Sequence, residues 1–246
     1  VGTSWKMNHN LPETKKYLNI LIKNSKYLTN PKINFFIIPP FTSLALFNNY
    51  KKKGFNRIPL LVEASSDLDS PLSIFTKLAN HSYSYLLESV HGGEKFGRYS
   101  FIGLPASTRI EVNNQELKLI KQGNLLELYK GDPLNYIRNF MDKFKVAPSQ
   151  EILPRFCGGL AGYFGYDTIR FIEPRLRTLA SYKRVSEPNV PDILLLLTEE
   201  LVVFDNVSGN LFLIVYSDPA EQDSYLKANE RLDELLNLLS ISETTS

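Results

Sequence analysis

Cysteine is nearly missing from this chain. Cys157 stands alone among 246 residues, so no disulfide can form within the chain. A small secreted scaffold held by disulfide staples is thereby excluded. Histidine is almost as scarce. His9, His81 and His91 lie far apart, and with Cys157 they make none of the short spacings by which a zinc set is recognised. No apolar run reaches the roughly 20 residues that span a bilayer. Lys6, His9 and Asn10 interrupt any leader-like apolar core near the start. These absences predict a cytoplasmic protein with no membrane partner, in which the sequon Asn206-Val207-Ser208 never meets the glycosylation machinery. The first residue is Val1 rather than Met, as expected of a fragment.

Signatures of chemistry are also wanting. Ser89 and Cys157 have no nucleophile pattern around them. The glycine-rich run at 158–166 is neither G-x-G-x-x-G nor a Walker loop. It is better explained by packing: small residues let one backbone approach another, while Tyr163, Phe164 and Tyr166 fill the adjacent layer. Glu199 and Glu200 fall between two apolar runs, where surface turn residues are expected. No catalytic residue and no metal ligand is assigned on these patterns.

What is present is an ordinary globular composition, 43% apolar and 12% aromatic, sufficient for a real core. The net charge of +2 hides an uneven distribution. Residues 1–57 hold ten Lys or Arg and only Glu13 as an acid, a balance of +9; the remaining 18 basic and 25 acidic residues give −7. Such a break marks two segments of different origin or different work, divided at about residue 54. The lysines of the first segment are scattered over a helical apolar pattern, without aromatic or glycine interleaving, so no nucleic-acid partner is expected.

Residues 2–7 suit a short strand. Pro12 and Glu13 open a helix, and the apolar run at 33–38 is a buried strand stopped by Pro39-Pro40. That is a β-α-β opening of the parallel kind. Residues 48–57 are polar, contain Gly54 and suggest a linker. Beyond it, Ser70 caps a helix with Pro71 at its first position. The run Tyr83, Tyr85, Leu87 alternates like a strand, and 99–104 returns beside it after Gly92-Gly93. Residues 109–112, 116–120 and 125–129 form a meander, and Asp132-Pro133 starts a helix to about Phe144. Strands at 193–197, 201–204 and 211–216 follow, and Asp218 with Glu221 is expected to cap a last helix whose apolar face includes Leu226, Leu232, Leu235, Leu236 and Leu239. The fold expected is α+β, with antiparallel sheets and flanking helices, preceded by the β-α-β fragment.

One constellation could bind a small molecule. A strand ends in Glu88-Ser89, and its neighbour begins with Arg98-Tyr99. Glu88 could face an ammonium, Ser89 could donate or accept, and Arg98 could face a carboxylate, which together would hold a zwitterion. A plain Glu–Arg pair on a sheet edge accounts for the same residues.

The stretches Arg57-Ile58-Pro59, Ser70-Pro71-Leu72-Ser73, Leu86-Leu87-Glu88-Ser89, Gly92-Gly93-Glu94-Lys95-Phe96-Gly97-Arg98-Tyr99-Ser100 and Ile102-Gly103 resemble, in order and spacing, the N-terminal region of anthranilate synthase component I. Gly158-Gly159-Leu160, Gly162-Tyr163-Phe164-Gly165-Tyr166-Asp167, Pro191-Asp192-Ile193 and Asp205-Asn206 continue the likeness, which covers about residues 55–240. The resemblance implies a chain belonging to an enzyme that converts chorismate to anthranilate and pyruvate, with ammonia from a glutamine amidotransferase partner and Mg²⁺ beside chorismate. It implies that this region carries the L-tryptophan feedback site, with Glu88 and Ser89 as ligands, Pro71 at a position linked to feedback sensitivity, and Arg98 or Tyr99 at the tryptophan carboxylate. The chorismate and Mg²⁺ ligands belong to a catalytic domain expected beyond this chain. Alone, it should then bind without catalysing. The alternatives are a non-catalytic amino-acid-binding module and a chimeric remnant.

Residues 1–50 resemble another family. Gly2-Thr3-Ser4-Trp5-Lys6-Met7-Asn8 and Ile37-Ile38-Pro39-Pro40-Phe41-Thr42 are similar to the opening of triosephosphate isomerase, in which Lys6 matches the substrate-binding lysine and Ser4 replaces the usual asparagine. A full barrel needs about 250 residues, so the segment is expected to be an isomerase-like fragment without activity.

Overall fold

The computed structural model describes residues 2–4, 36–38, 42–65, 69–91, 95–148, 156–177 and 190–240. They fall into two compact units, Val1–Phe55 and Asn56–Ser246.

In the first unit, β1 (Gly2–Ser4) and β2 (Phe36–Ile38) pair in parallel, with Gly2 opposite Phe36 and Ser4 opposite Ile38. Helix α1 spans Thr42–Lys52. It overruns the polar stretch expected to be a linker from residue 48. Asn48, Asn49 and the lysines that suggest a loop simply form its exposed face, while Phe47 is buried. Lys51 and Lys52 sit in its last turn, where the helix dipole favours cations. Gly54, at φ +79°, then turns the chain, and the Tyr50 and Phe55 rings meet edge to face at 5.6 Å. The helix expected from Pro12 and the residue Lys6 both lie outside the described residues.

The second unit is built on two five-stranded antiparallel sheets, as the sequence suggests. Strands β3 (Ile58–Ser65), β4 (Tyr85–His91), β5 (Lys95–Gly103), β11 (Glu200–Asp205) and β12 (Asn210–Ser217) form one, in the order β3-β12-β11-β5-β4. Strands β6 (Thr108–Asn113), β7 (Glu116–Lys121), β8 (Asn124–Lys130), β9 (Gly159–Phe164) and β10 (Ile193–Thr198) form the other, in the order β8-β7-β6-β10-β9.

Each sheet buries one face under helices. Ser70 caps α2 (Pro71–Leu78) by accepting from the Ser73 amide, and Ser73 returns the bond to the Ser70 amide, a reciprocal box that satisfies two end groups of the helix. This helix packs Ile74 and Leu78 with Ile102, Val202, Leu213 and, from α6 (Ser224–Ser240), Ala228, Leu232 and Leu235. On the meander side, Asp132 caps α3 (Pro133–Met141) through the amides of Leu134 and Asn135. Phe140 of α3 closes a core of Ile110, Val112, Leu117, Ile193 and Leu195. The opposite face of the first sheet buries Leu201, Val203 and Ile214 among Leu61, Tyr99, Phe101, Phe156 and Tyr216.

Three expectations need correction. Tyr83 is not strand: it sits at φ +63° in a turn, and β4 starts at Tyr85. Asp218 does not cap the last helix. Its Oδ2 is drawn to Arg57 at 2.9 Å and its Oδ1 accepts from the Ala220 amide, so the chain makes an isolated turn, passes Asp223 at φ +56°, and α6 begins only at Ser224. Leu226, expected on the apolar face, is half exposed because it stands about 200° round the helix from Ala228, which with Leu232 and Leu235 makes the buried stripe. Tyr163, Phe164 and Tyr166 fill no layer. They lie on an edge strand and the turn after it, and all three are exposed. The glycines among them behave as expected: a Cβ on Gly162 would meet the carbonyl oxygen of Leu194 in β10 at 2.0 Å. Short helices α4 (Ile169–Ile172) and α5 (Pro174–Arg177) follow that turn.

Among the described residues no helix is long and apolar enough to cross a membrane.

Candidate functional site

Strand alternation sorts the candidate ligands. Glu88 pairs with Ser100 across β4 and β5, so Glu88, Ser100 and Arg98 project to one face, the one on which α2 packs. Tyr99 projects to the other face, where it packs with Phe101, Leu201 and Val203. Pro71 opens the helix on the Glu88 side and is half-buried. The register shifts between Glu88 and Val90, a bulge that falls on Ser89. Bulges re-aim side chains and recur beside binding sites. The side chain of Ser89 lies outside the described residues.

Glu88 and Arg98 do not pair with each other. Arg98 donates from Nε and Nη2 to one oxygen of Asp205, at 3.2 and 3.0 Å. The two partners differ sharply in exposure: the Arg98 side chain is 63% exposed and that of Asp205 only 4%. Burial raises the Asp205 pKa, but the Arg98 bond and the amides of Val207 and Ser208 outweigh it and hold the carboxyl below its ordinary value. The same bond raises the Arg98 pKa, and the guanidinium also lies 5.0 Å from the centre of the Tyr99 ring. Asn206 secures the backbone beneath: its amide donates to the Arg98 carbonyl at 2.7 Å, and its Nδ2 donates to the Gly97 carbonyl at 2.8 Å and Ser100 Oγ at 3.1 Å. Glu88 is exposed. Asp205 pairs in register with Tyr99, so the Arg98 head group is drawn towards β11 and the Tyr99 side, away from Glu88; an exposed carboxylate and an exposed guanidinium thus stand on adjacent strands, addressed separately rather than to each other. Local reasoning could not find Asp205 and Asn206 as members of this group, because they are more than 100 residues from Arg98.

A second polar constellation was also missed. A cleft of about 270 Å³ is lined by Arg57, Lys121, Glu199, Glu200, Asp218 and Glu221, among others. Arg57 lies 3.0 Å from Glu199 and 2.9 Å from Asp218, and its guanidinium carbon stacks 4.9 Å from the Phe144 ring. Glu199 is therefore no simple surface turn residue. Burial pushes its carboxyl above the ordinary value, and Arg57 and Lys121 pull it back only in part. Glu200 receives Arg231 of α6 at 2.9 Å. These pairs tie the β10–β11 junction to the start of β3 and to α6.

The resemblance of the sequence implies Mg²⁺ in the whole enzyme. Among the described residues no three His, Cys, Asp or Glu side chains gather so as to hold a metal, and no Mg²⁺ ligand is assigned.

No protein-family model matches the chain. Individual proteins do. Anthranilate synthase component 1 of Neisseria gonorrhoeae is 49% identical over 183 residues, 74% of this chain and 37% of that protein. The protein of the same name from Pseudomonas aeruginosa is 46% identical over 187 residues, 76% of this chain and 37% of its own. That of Acinetobacter calcoaceticus is 42% identical over 202 residues, 81% and 40%. A crystal structure of anthranilate synthase component I from Streptococcus pneumoniae is 22% identical, with a TM-score of 0.46, and covers 74% of this chain and 37% of that one. None of these is an isomerase, and the likeness of residues 1–50 to that family stays a reading of the sequence. Over about three quarters of its length this chain is homologous to anthranilate synthase component I, of which it spans a little over a third.

Proposed function

We propose that the second unit is the L-tryptophan-sensing feedback segment of an anthranilate synthase component I, cytoplasmic in setting, and that chorismate chemistry belongs to the part of the relatives this chain does not span. One observation carries the reading: Glu88 and Arg98 stand on neighbouring strands yet leave each other free, so that an ammonium and a carboxylate can be met separately. In this arrangement Glu88 takes the ammonium, Arg98 takes the carboxylate, and Ser89 at the bulge supplies a hydroxyl. Between the two candidates for the carboxylate, Arg98 is favoured, because its guanidinium is exposed and offers charged donors, whereas the Tyr99 ring packs with Phe101, Leu201 and Val203. Pro71 shapes the site indirectly, by setting the first turn of the helix that packs on the Glu88 face. Partners follow from the same reading: the remaining catalytic region and a glutamine amidotransferase subunit.

Calorimetric titration of L-tryptophan into the full chain tests this. Saturable binding that is lost in Ser89→Ala and weakened in Glu88→Gln is expected. A folded chain that takes up no L-tryptophan would refute the assignment. A chain that binds it equally well with both residues replaced would move the site elsewhere. With chorismate and ammonia supplied, the chain alone should form no anthranilate.

A further inference from the structure

We infer that Asp205 is the positioning residue of this amino-acid site: it fixes the Arg98 guanidinium so that the Nη1 edge stays available to a ligand carboxylate. The inference rests on the tryptophan-binding reading above and adds to it a residue, on another strand, that never touches the ligand.

An arginine that is mostly exposed ordinarily samples many rotamers, and ordering it on binding costs affinity. Arg98 is not in that condition. Its Nε and Nη2 converge on one oxygen of Asp205, which fixes both the position and the plane of the guanidinium. The anchor is itself immobile. Asp205 is almost wholly buried, its other oxygen accepts the amides of Val207 and Ser208, and its carbonyl accepts the amide of Gly209. One carboxylate thus closes the β11–β12 turn with one oxygen and aims an arginine with the other.

The strand under Arg98 is clamped from the same place. Asn206 holds the carbonyls of Gly97 and Arg98 and the hydroxyl of Ser100, so the residues flanking Arg98 are tied to the turn as firmly as its head group. A guanidinium carries five N–H donors. Asp205 engages the Nε–Nη2 edge, and among the described residues no bond engages Nη1. The donors at Nη1 can therefore meet a second carboxylate, and the head group, held towards β11, cannot collapse onto Glu88 on the far side of β5.

The test uses two probes, L-tryptophan and tryptamine. Tryptamine keeps the indole and the ammonium but has no carboxylate. Both are titrated into the full chain, the Asp205→Asn variant and the Arg98→Gln variant, with thermal unfolding recorded for each. Asp205→Asn keeps an oxygen for the Val207 and Ser208 amides but removes the charge that holds Arg98. It is expected to weaken L-tryptophan roughly tenfold, the scale of one charged hydrogen bond, and to leave tryptamine unchanged. Arg98→Gln should show the same selective loss, and it carries the test if the Asp205 variant unfolds. A purely structural Asp205 would weaken both ligands alike. That result, or L-tryptophan binding unchanged in either variant, overturns the inference while the tryptophan reading stands. No L-tryptophan binding by the folded parent chain overturns the reading and this assignment with it.

Discussion

Replacing Gly162 by alanine probes the close approach of β9 to β10. Gly162 lies in β9 opposite Leu195 of β10. An added Cβ would stand 2.0 Å from the Leu194 carbonyl oxygen, 2.9 Å from its carbon and 3.0 Å from the Leu195 Cα. Carbon–oxygen contacts between strands settle at about 3.3–3.6 Å. The two strands must therefore part by more than about 1 Å locally, and no side-chain rotation can relieve the contact because all three atoms are backbone. Overpacking of this kind costs about 1–3 kcal/mol, sometimes more. The φ of +156° adds backbone strain of about 1–3 kcal/mol for a residue with a Cβ. The expected loss is about 2–6 kcal/mol. For a unit of this size each kcal/mol moves Tm by about 2–4 °C, so a fall of roughly 4–24 °C is expected in a thermal melt followed by circular dichroism. Gly123→Ala is the control. Its φ of +80° is also left-handed, but open space surrounds it, so only the conformational cost of about 1–2 kcal/mol applies. If the two variants melt within about 1 kcal/mol of each other, the close approach of β9 to β10 is refuted.

Other perturbations test other parts of the unit. The Glu199 pKa is raised by burial, so folding favours its protonated form. Its stabilising contribution is whole below the ordinary value near 4.5 and is lost as pH rises through the raised value; Tm measured against pH should show this fall in the parent chain and not in Glu199→Gln. Asp205, whose pKa is lowered, contributes in the opposite sense, losing its share as pH drops below the ordinary carboxylate value. Asp132→Ala removes the α3 cap and should cost about 1 kcal/mol in urea unfolding, with no change in slope. Leu232→Ala opens a hole where α6 meets the sheet and should cost about 2–5 kcal/mol; a loss under 1 kcal/mol would mean α6 is not docked as described.

What could be read from the sequence was local. Ser70-Pro71 and Asp132-Pro133 announce their helices because the bonds that cap them run two or three residues along the chain. The meander is legible for the same reason: β6, β7 and β8 are joined by short turns at Asn114 and Gly123. Asp218 carries the same local signature, yet a partner from elsewhere, Arg57, claims its carboxylate. Residues 48–52 look like a loop because a helix face turned to solvent has a loop's composition. For the candidate site, both ends of the Glu88–Arg98 arrangement could be named in advance. Whether they would pair with each other could not, because the answer depends on Asp205, which reaches β5 only when β11 is laid beside it.

The order of strands in the first sheet has a consequence for how the chain is made. Among the described residues β3 is hydrogen-bonded to β12 alone, and its eight partners leave the ribosome after every other described strand. Roughly 150 residues separate the two, so closing that loop is entropically slow and the sheet cannot start from its first strand. At common synthesis rates the run Ile58-Pro59-Leu60-Leu61-Val62 waits roughly 8–30 s for its partner. The meander β6-β7-β8, by contrast, can fold as soon as it emerges. The nascent chain is thus a folded hairpin pair trailing an adhesive, unmatched strand, and during that interval it is most exposed to aggregation and most in need of a chaperone.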